Sequence, residues 1–182
     1  MFWDRPETVD YQFVTDQLAV GGAIWTPENM REIARAGITH VVNLQMEFDD
    51  NSISDGTGIC VLWNGCDDDF LPKPPEFFWK GVQFTLEALA NPQAKVLFHC
   101  VAGVHRSPFL LLSVLRVLGY DLEEAIGMIR AARPQADFPL VYLESVEDFV
   151  REYKACKPLD GKAASENGDS GFPQASQAAS EV

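Results

Sequence analysis

Apolar positions along the chain fall into two periods, and the alternation between them predicts most of the elements. Residues 14–22 read as a short strand ending in the Gly21-Gly22 turn, while the first 13 residues, with Pro6 and scattered charges, read as irregular. Thr26-Pro27 supplies an N-cap followed by proline at the first helical position. Ile33, Ala34 and Ala36 give that helix a modest apolar face, and Gly37 stops it. Residues 38–44 form an apolar run rich in β-branched side chains, long enough for a buried strand, and the acidic stretch 47–58 behind it reads as a loop. Residues 59–63 make the next strand, followed by an Asn64-Gly65 turn and three consecutive acids, Asp67, Asp68 and Asp69.

Lys73-Pro74-Pro75 opens a helix whose apolar positions Phe77, Phe78, Val82, Leu86 and Leu89 recur near every 3.6 residues, and Asn91-Pro92 ends it. Residues 95–99 form a further buried strand. Residues 108–118 are apolar except for Ser113 and Arg116, as expected of a helix buried on most sides and stopped by Gly119. Asp121 caps a helix over 122–132, Pro134 closes it, and 138–153 make a last amphipathic helix. Strands alternating with helices predict one α/β domain with a central, mainly parallel sheet flanked by helices on both faces. From 157 onward the large apolar residues are Leu159, Phe172 and Val182 alone. The expectation is therefore a domain over 1–156 and a disordered tail over 157–182.

Composition narrows the partners. The 182 residues are 47% hydrophobic, ample for one core, and carry 14 Lys+Arg against 27 Asp+Glu, a formal net charge of −13. That balance argues against nucleic acid and against an anionic membrane surface, though a local site can still hold one small anion. Residues 157–182 contain two lysines and four acids, so the acidity belongs to the folded part. The field then favours an anionic ligand whose surroundings are neutral or basic. Cys60, Cys66, Cys100 and Cys156 lack CxxC spacing, and three histidines are too few to build a zinc pattern with them. With no apolar run of signal-peptide or membrane-span length, a cytoplasmic monomer without metal or cofactor is expected.

The chemistry concentrates in 99–107, HCVAGVHRS, between a buried strand and a buried helix. Gly103 can take a positive φ, so the backbone N–H groups of Val101, Ala102, Gly103, Val104 and His105 can turn inward into an anion-binding nest at a helix N-terminus. A tetrahedral phosphate fits such a cradle, and the planar fork of Arg106 can bind two of its oxygens. At the base of the nest the same N–H groups and the helix dipole favour the thiolate of Cys100, the nucleophilic form. Attack on phosphorus gives a phosphocysteine and expels an oxygen that needs a proton. The donors available are Asp67, Asp68 and Asp69, and Ser107 can donate to the departing thiolate in the second step.

These residues resemble the HCxxGxxR[S/T] signature of the cysteine-dependent protein tyrosine phosphatases, and the chain length resembles their small dual-specificity branch. The likeness extends over most of 14–153. It implies the dual-specificity phosphatase fold, with Cys100 as nucleophile, Arg106 as phosphate clamp, Ser107 as the hydroxyl assisting breakdown and Asp68 as general acid, Asp67 and Asp69 staying as alternatives. His99 is expected to orient backbone groups around the thiolate. His105 reads either as a rim contact to substrate or as a solvated imidazole. Arg133 reads as a support behind the loop or as a partner of a helix C-terminus. Cys66 is a spectator, or a disulfide partner of Cys100 under oxidation. The implied substrate is a phosphorylated protein or small phosphomonoester. Phosphotyrosine leads, with phosphoserine and phosphothreonine beside it, and the neutral Val101, Ala102 and Val104 weigh against polyphosphorylated ligands. A phosphoinositide, phosphoglucan or RNA 5′ phosphate is the alternative, and a catalytically silent phosphoresidue-binding module a further one.

Overall fold

The computed structural model describes residues 8–156, so the tail assigned to 157–182 lies outside the described residues, as do residues 1–7. Among the described residues the strands are β1 (Tyr11–Phe13), β2 (Leu18–Gly21), β3 (His40–Asn43), β4 (Cys60–Trp63) and β5 (Val96–His99). The helices are α1 (Pro27–Arg35), α2 (Pro75–Leu89), α3 (Arg106–Leu118), α4 (Leu122–Ala132) and α5 (Leu140–Cys156), with a short 3-10 turn at Asp50–Ile53. They form one sheet in the order β1-β2-β5-β3-β4, parallel throughout except for the antiparallel pair β1/β2.

The apolar runs of β2, β3 and β5 become strands buried on both faces, while β4 at the sheet edge is partly exposed, and the period of two sorts side chains between two layers. Ala19, Val41 and Leu97 face α1, where they meet Met30 and Ile33. Leu18, Val20, Val42, Val96 and Phe98 face the larger layer of α2 to α5. In that layer α3 is central, and the side chains from Phe109 to Leu112, with Val114 and Leu115, are fully buried. Each is worth roughly 1.5–3 kcal/mol on burial, which fixes the helix that carries the end of the signature loop.

Local signals set the boundaries. The Thr26 side chain accepts from the Asn29 N–H and that of Asp121 from the Glu124 N–H, and Gly37 and Gly119 adopt φ of 89° and 107° past their helices. Three expectations change. The expected irregular start contains β1, an edge strand with one partner and too few residues for a period to register. The expected strand 14–22 shrinks to β2, because the Thr15 hydroxyl accepts from the N–H groups of Gln17 and Leu18 and turns the chain into a hairpin. At Gly21 a Cβ would lie 2.6 Å from that of Tyr11, so only glycine allows the pairing. The last helix starts at Leu140 rather than 138, since Pro139 disfavours helical backbone in the residue before it.

Because β3, β4 and β5 run parallel, the loops leaving them meet at one edge of the sheet. Those loops carry Glu47 and Asp50, Asp67 to Asp69, and Cys100 to His105.

Candidate active site

The loop after β5 is shaped from outside. Four consecutive carbonyls each meet a donor on the outer side: Val101 O accepts from Ala23 N (3.0 Å), Ala102 O from Arg133 Nη2 (3.0 Å), Gly103 O from Arg133 Nε (2.6 Å) and Val104 O from Asp137 N (2.9 Å). A planar trans peptide points its N–H opposite to its carbonyl, so the N–H groups of 102 to 105 turn inward. Gly103 makes this turn at φ 66°, and a Cβ there would stand 2.5 Å from Arg133 Nη2. Cys100 lies at the floor, 2% exposed, its Sγ accepting from the Gly103 N–H at 3.2 Å. Ser107 Oγ lies 3.4 Å from that sulfur and donates to Gly21 O at 3.1 Å. With a single hydroxyl proton, Ser107 can redirect it to a sulfur that gains charge.

Arg106, the first residue of α3, is buried and has five N–H groups to place. Nη1 donates to Glu47 Oε2 at 3.0 Å and to Cys66 O at 3.2 Å, with Leu44 O at 3.4 Å; Nη2 donates to Glu47 Oε1 at 3.1 Å. Glu47 thus takes the outer edge of the guanidinium. The Nε–H has no hydrogen-bond partner among the described residues, and beside it one Nη2–H is left, so a whole edge can receive two phosphate oxygens. Burial opposes the charge of Arg106, but Glu47, Cys100 and Asp68 outweigh it and raise the guanidinium above its ordinary value. The hydrogen bond from Arg106 in turn holds the Glu47 carboxyl below the usual range.

The three acids have separate fates. Asp69 accepts from the Leu71 N–H and pairs with Lys73, which lowers its carboxyl below the usual range and commits it to the turn. Asp67 lies exposed. Asp68 faces the loop: Oδ2 is 3.1 Å from His105 Nδ1 and 3.9 Å from Arg106 Nε, and Oδ1 accepts from the Tyr142 hydroxyl at 3.2 Å.

His99 and Asp50 form a pair at 2.6 Å with neither side chain exposed, His99 Nε2 meeting Asp50 Oδ2. Sequence reasoning missed Glu47, Asp50 and Tyr142 as neighbours of the signature. The available signal was that 47–58 leaves β3 at the same edge as the signature leaves β5. Arg133 stands behind the loop, held by Asp10 and Gln12 of the β1 region. Burial pushes the Cys66 thiol up to about 12, which keeps it protonated and a poor nucleophile. The cysteines at 60, 66, 100 and 156 are all free. Phe77 stacks on Phe109 and Trp79 meets Phe149 and Tyr153, so both serve packing, while Trp63 Nε1 donates to Gln45 O at 2.7 Å and ties down the chain leading to Glu47. Among the described residues no group of His, Cys, Asp or Glu is arranged to hold a metal ion.

A loop of inward N–H groups closing over a buried cysteine, on the edge of a five-stranded and mostly parallel sheet, is the architecture of the cysteine-dependent tyrosine phosphatase superfamily. Residues 26–152 match the family profile described as dual specificity phosphatase, catalytic domain, and the chain belongs to that family. Among curated proteins it is similar to human dual specificity protein phosphatase 26, 33% identical over 108 residues that cover 58% of this chain and 51% of that one. It is also similar to mouse protein phosphatase Slingshot homolog 3, 28% identical over 115 residues covering 62% and 17%. The chain therefore spans between about a sixth and about half of the length of these relatives. Among solved structures, PTPMT1 in complex with PI(5)P superposes with a TM-score of 0.71 at 22% identity, covering 80% of this chain and 97% of that one. Human DUSP28 superposes at 0.65 and 20% identity, covering 79% and 95%, and both likenesses concern the fold.

Proposed function

We propose that the protein hydrolyses phosphomonoesters through a phosphocysteine. The observation that carries this reading is the free edge of Arg106 beside the N–H cradle over Cys100 Sγ. Bound there, a phosphate has two oxygens on the guanidinium and the others on the loop N–H groups, with phosphorus in front of the sulfur. The S–P bond forms as the P–O bond breaks, and Asp68 gives the leaving oxygen its proton. Water then attacks the phosphocysteine, Asp68 takes the water's proton, and the Ser107 hydroxyl donates to the departing sulfur.

The substrate class that the surroundings favour is protein phosphotyrosine, with phosphoserine and phosphothreonine beside it. Val101, Ala102 and Val104 offer no cation to a second phosphate, and the rim holds the half-exposed ring of Phe70 against the more buried ring of His105. The free thiols are in keeping with action in a reducing cytoplasm. The test is turnover of an aryl phosphate without added metal, its inhibition by vanadate, and its loss in Cys100→Ser. A substrate panel of phosphotyrosine and phosphothreonine peptides, phosphoinositide, phosphoglucan and RNA 5′ triphosphate then checks the class. Undiminished turnover in Cys100→Ser sinks the covalent route, and preference for a non-protein member of the panel sinks the substrate reading.

A further inference from the structure

Asp68 is held by contacts that determine where a proton on it can reside. Tyr142 is fully buried, and its hydroxyl accepts from the Phe70 N–H at 3.1 Å while donating to Asp68 Oδ1. Burial pushes that phenol up to about 12, so it remains a donor throughout the neutral range. Oδ1 is thereby committed to accepting, and a proton on Asp68 belongs on Oδ2. That oxygen faces His105 Nδ1 on one side and the substrate edge of Arg106 on the other.

The imidazole is constrained in the same way. Its Nε2 lies 3.6 Å from Asp137 Oδ2, beyond hydrogen-bond reach, and the carboxylate there favours a hydrogen on Nε2 through its charge. The ring is fixed edge-on to Phe70 at 5.1 Å, and Phe70 stacks on Tyr142 with planes 3° apart. Phe70 adopts a φ of 56°, the one residue other than glycine with positive φ among those described, so its placement works against backbone preference. The titratable and charged groups facing His105 are thus Asp68 from the loop after β4 and Asp137 from the loop before α5. Facing Asp68 beyond them are Tyr142 of α5 and Arg106 of α3, with Cys100 beneath Arg106.

We propose that His105 and Asp68 share one proton and work as a pair, His105 being the positioning residue that keeps a proton available at Oδ2 for the leaving oxygen. The proposal rests on the reading of Asp68 as general acid. The pair holds the same proton count whether written as carboxylate with imidazolium or as carboxylic acid with neutral imidazole protonated on Nε2. When the P–O bond breaks, the leaving oxygen takes the shared proton from Asp68 Oδ2, and the pair is left one proton short, a carboxylate beside a neutral imidazole. In the second step water surrenders a proton to Asp68, which restores the pair as the S–P bond breaks. Two ionisable groups in contact titrate as a pair, so removing the imidazole is expected to change the pH range over which a proton stands at Oδ2.

The test measures kcat/KM of the full chain between pH 5 and 8.5 for an aryl phosphate with a good leaving group and one with a poor leaving group. His105→Asn places an amide donor near the position of Nδ1 but carries no titrating proton, so a role confined to holding Asp68 in place leaves the wild-type profile intact. The expected result is a drop of about tenfold in the poor-to-good ratio at pH 7, with the alkaline limb for the poor leaving group about one pH unit lower. Asp137→Asn, which alters only the far side of the ring, is expected to move the same limb in the same direction by less. A wild-type profile in both variants overturns the pairing. Asp68→Asn separates the two readings: if it leaves the ratio unmoved, the acid assignment itself fails. If it lowers the ratio while His105→Asn does not, only the shared proton fails.

Discussion

Arg106 and Arg133 are both buried guanidiniums facing carboxylates, and both adjoin the loop over Cys100, yet they differ in how many N–H groups they have left. Arg133 spends all five, on Asp10, Gln12, Ala102 O and Gly103 O. Arg106 spends three on Glu47 and on carbonyls and keeps one edge. A fully committed arginine shapes the loop, while one with a free edge can act on a ligand. The donor count separates scaffold from site where burial and charge are alike.

Three substitutions sharpen that contrast. Arg106→Lys replaces the fork with a point charge, and kcat is expected to fall roughly 10²–10³-fold by steady-state assay while the urea midpoint moves little. Arg133→Met leaves the carbonyls of Ala102 and Gly103 without donors, at about 1–3 kcal/mol each, so the expected loss is on the order of 2–4 kcal/mol by urea unfolding, with activity falling as the loop relaxes. An Arg133 variant of normal stability, or an Arg106 variant of normal kcat, breaks the distinction.

The smallest effect falls on Glu47→Gln, where Arg106 keeps a neutral acceptor; kcat is expected to drop by about tenfold through misplacement of the guanidinium. The Glu47 carboxyl is held below its ordinary value of 4.5 by Arg106 in the folded protein. Its contribution to stability is therefore fully present above that ordinary value and lost as pH falls through the lower folded value. The gap in urea midpoint between wild type and Glu47→Gln should be constant near neutrality and close below about pH 4.5.

How far the fold could be read in advance follows from where the signals lie. The buried runs of β3 to β5 and the caps at Thr26 and Asp121 are local, and they placed their elements within a few residues. β1 escaped because three residues at an edge carry no period, and its pairing depends on Gly21 in another strand. The signature 99–107 was likewise local. Most of its supports are not: Glu47, Asp50 and Tyr142 reach their partners across 59, 49 and 74 residues, distances over which no sequence pattern speaks, while Arg133, which the sequence offers as a support behind the loop or as a helix C-terminal partner, takes the first of these places. The three consecutive aspartates look alike in any local reading, and only their side-chain partners, Lys73 for one and His105 with Tyr142 for another, tell them apart.

The hairpin of β1 and β2 lies upstream of the span 26–152 that the family profile matches. Yet β2 completes one side of β5, Gly21 O receives the Ser107 proton, and Asp10 and Gln12 hold the arginine behind the loop. A fragment cut to the matched span would keep every residue of the signature and lose what tensions it. The portable unit, for transplantation into another chain or for recombination between relatives, therefore has to start before β1.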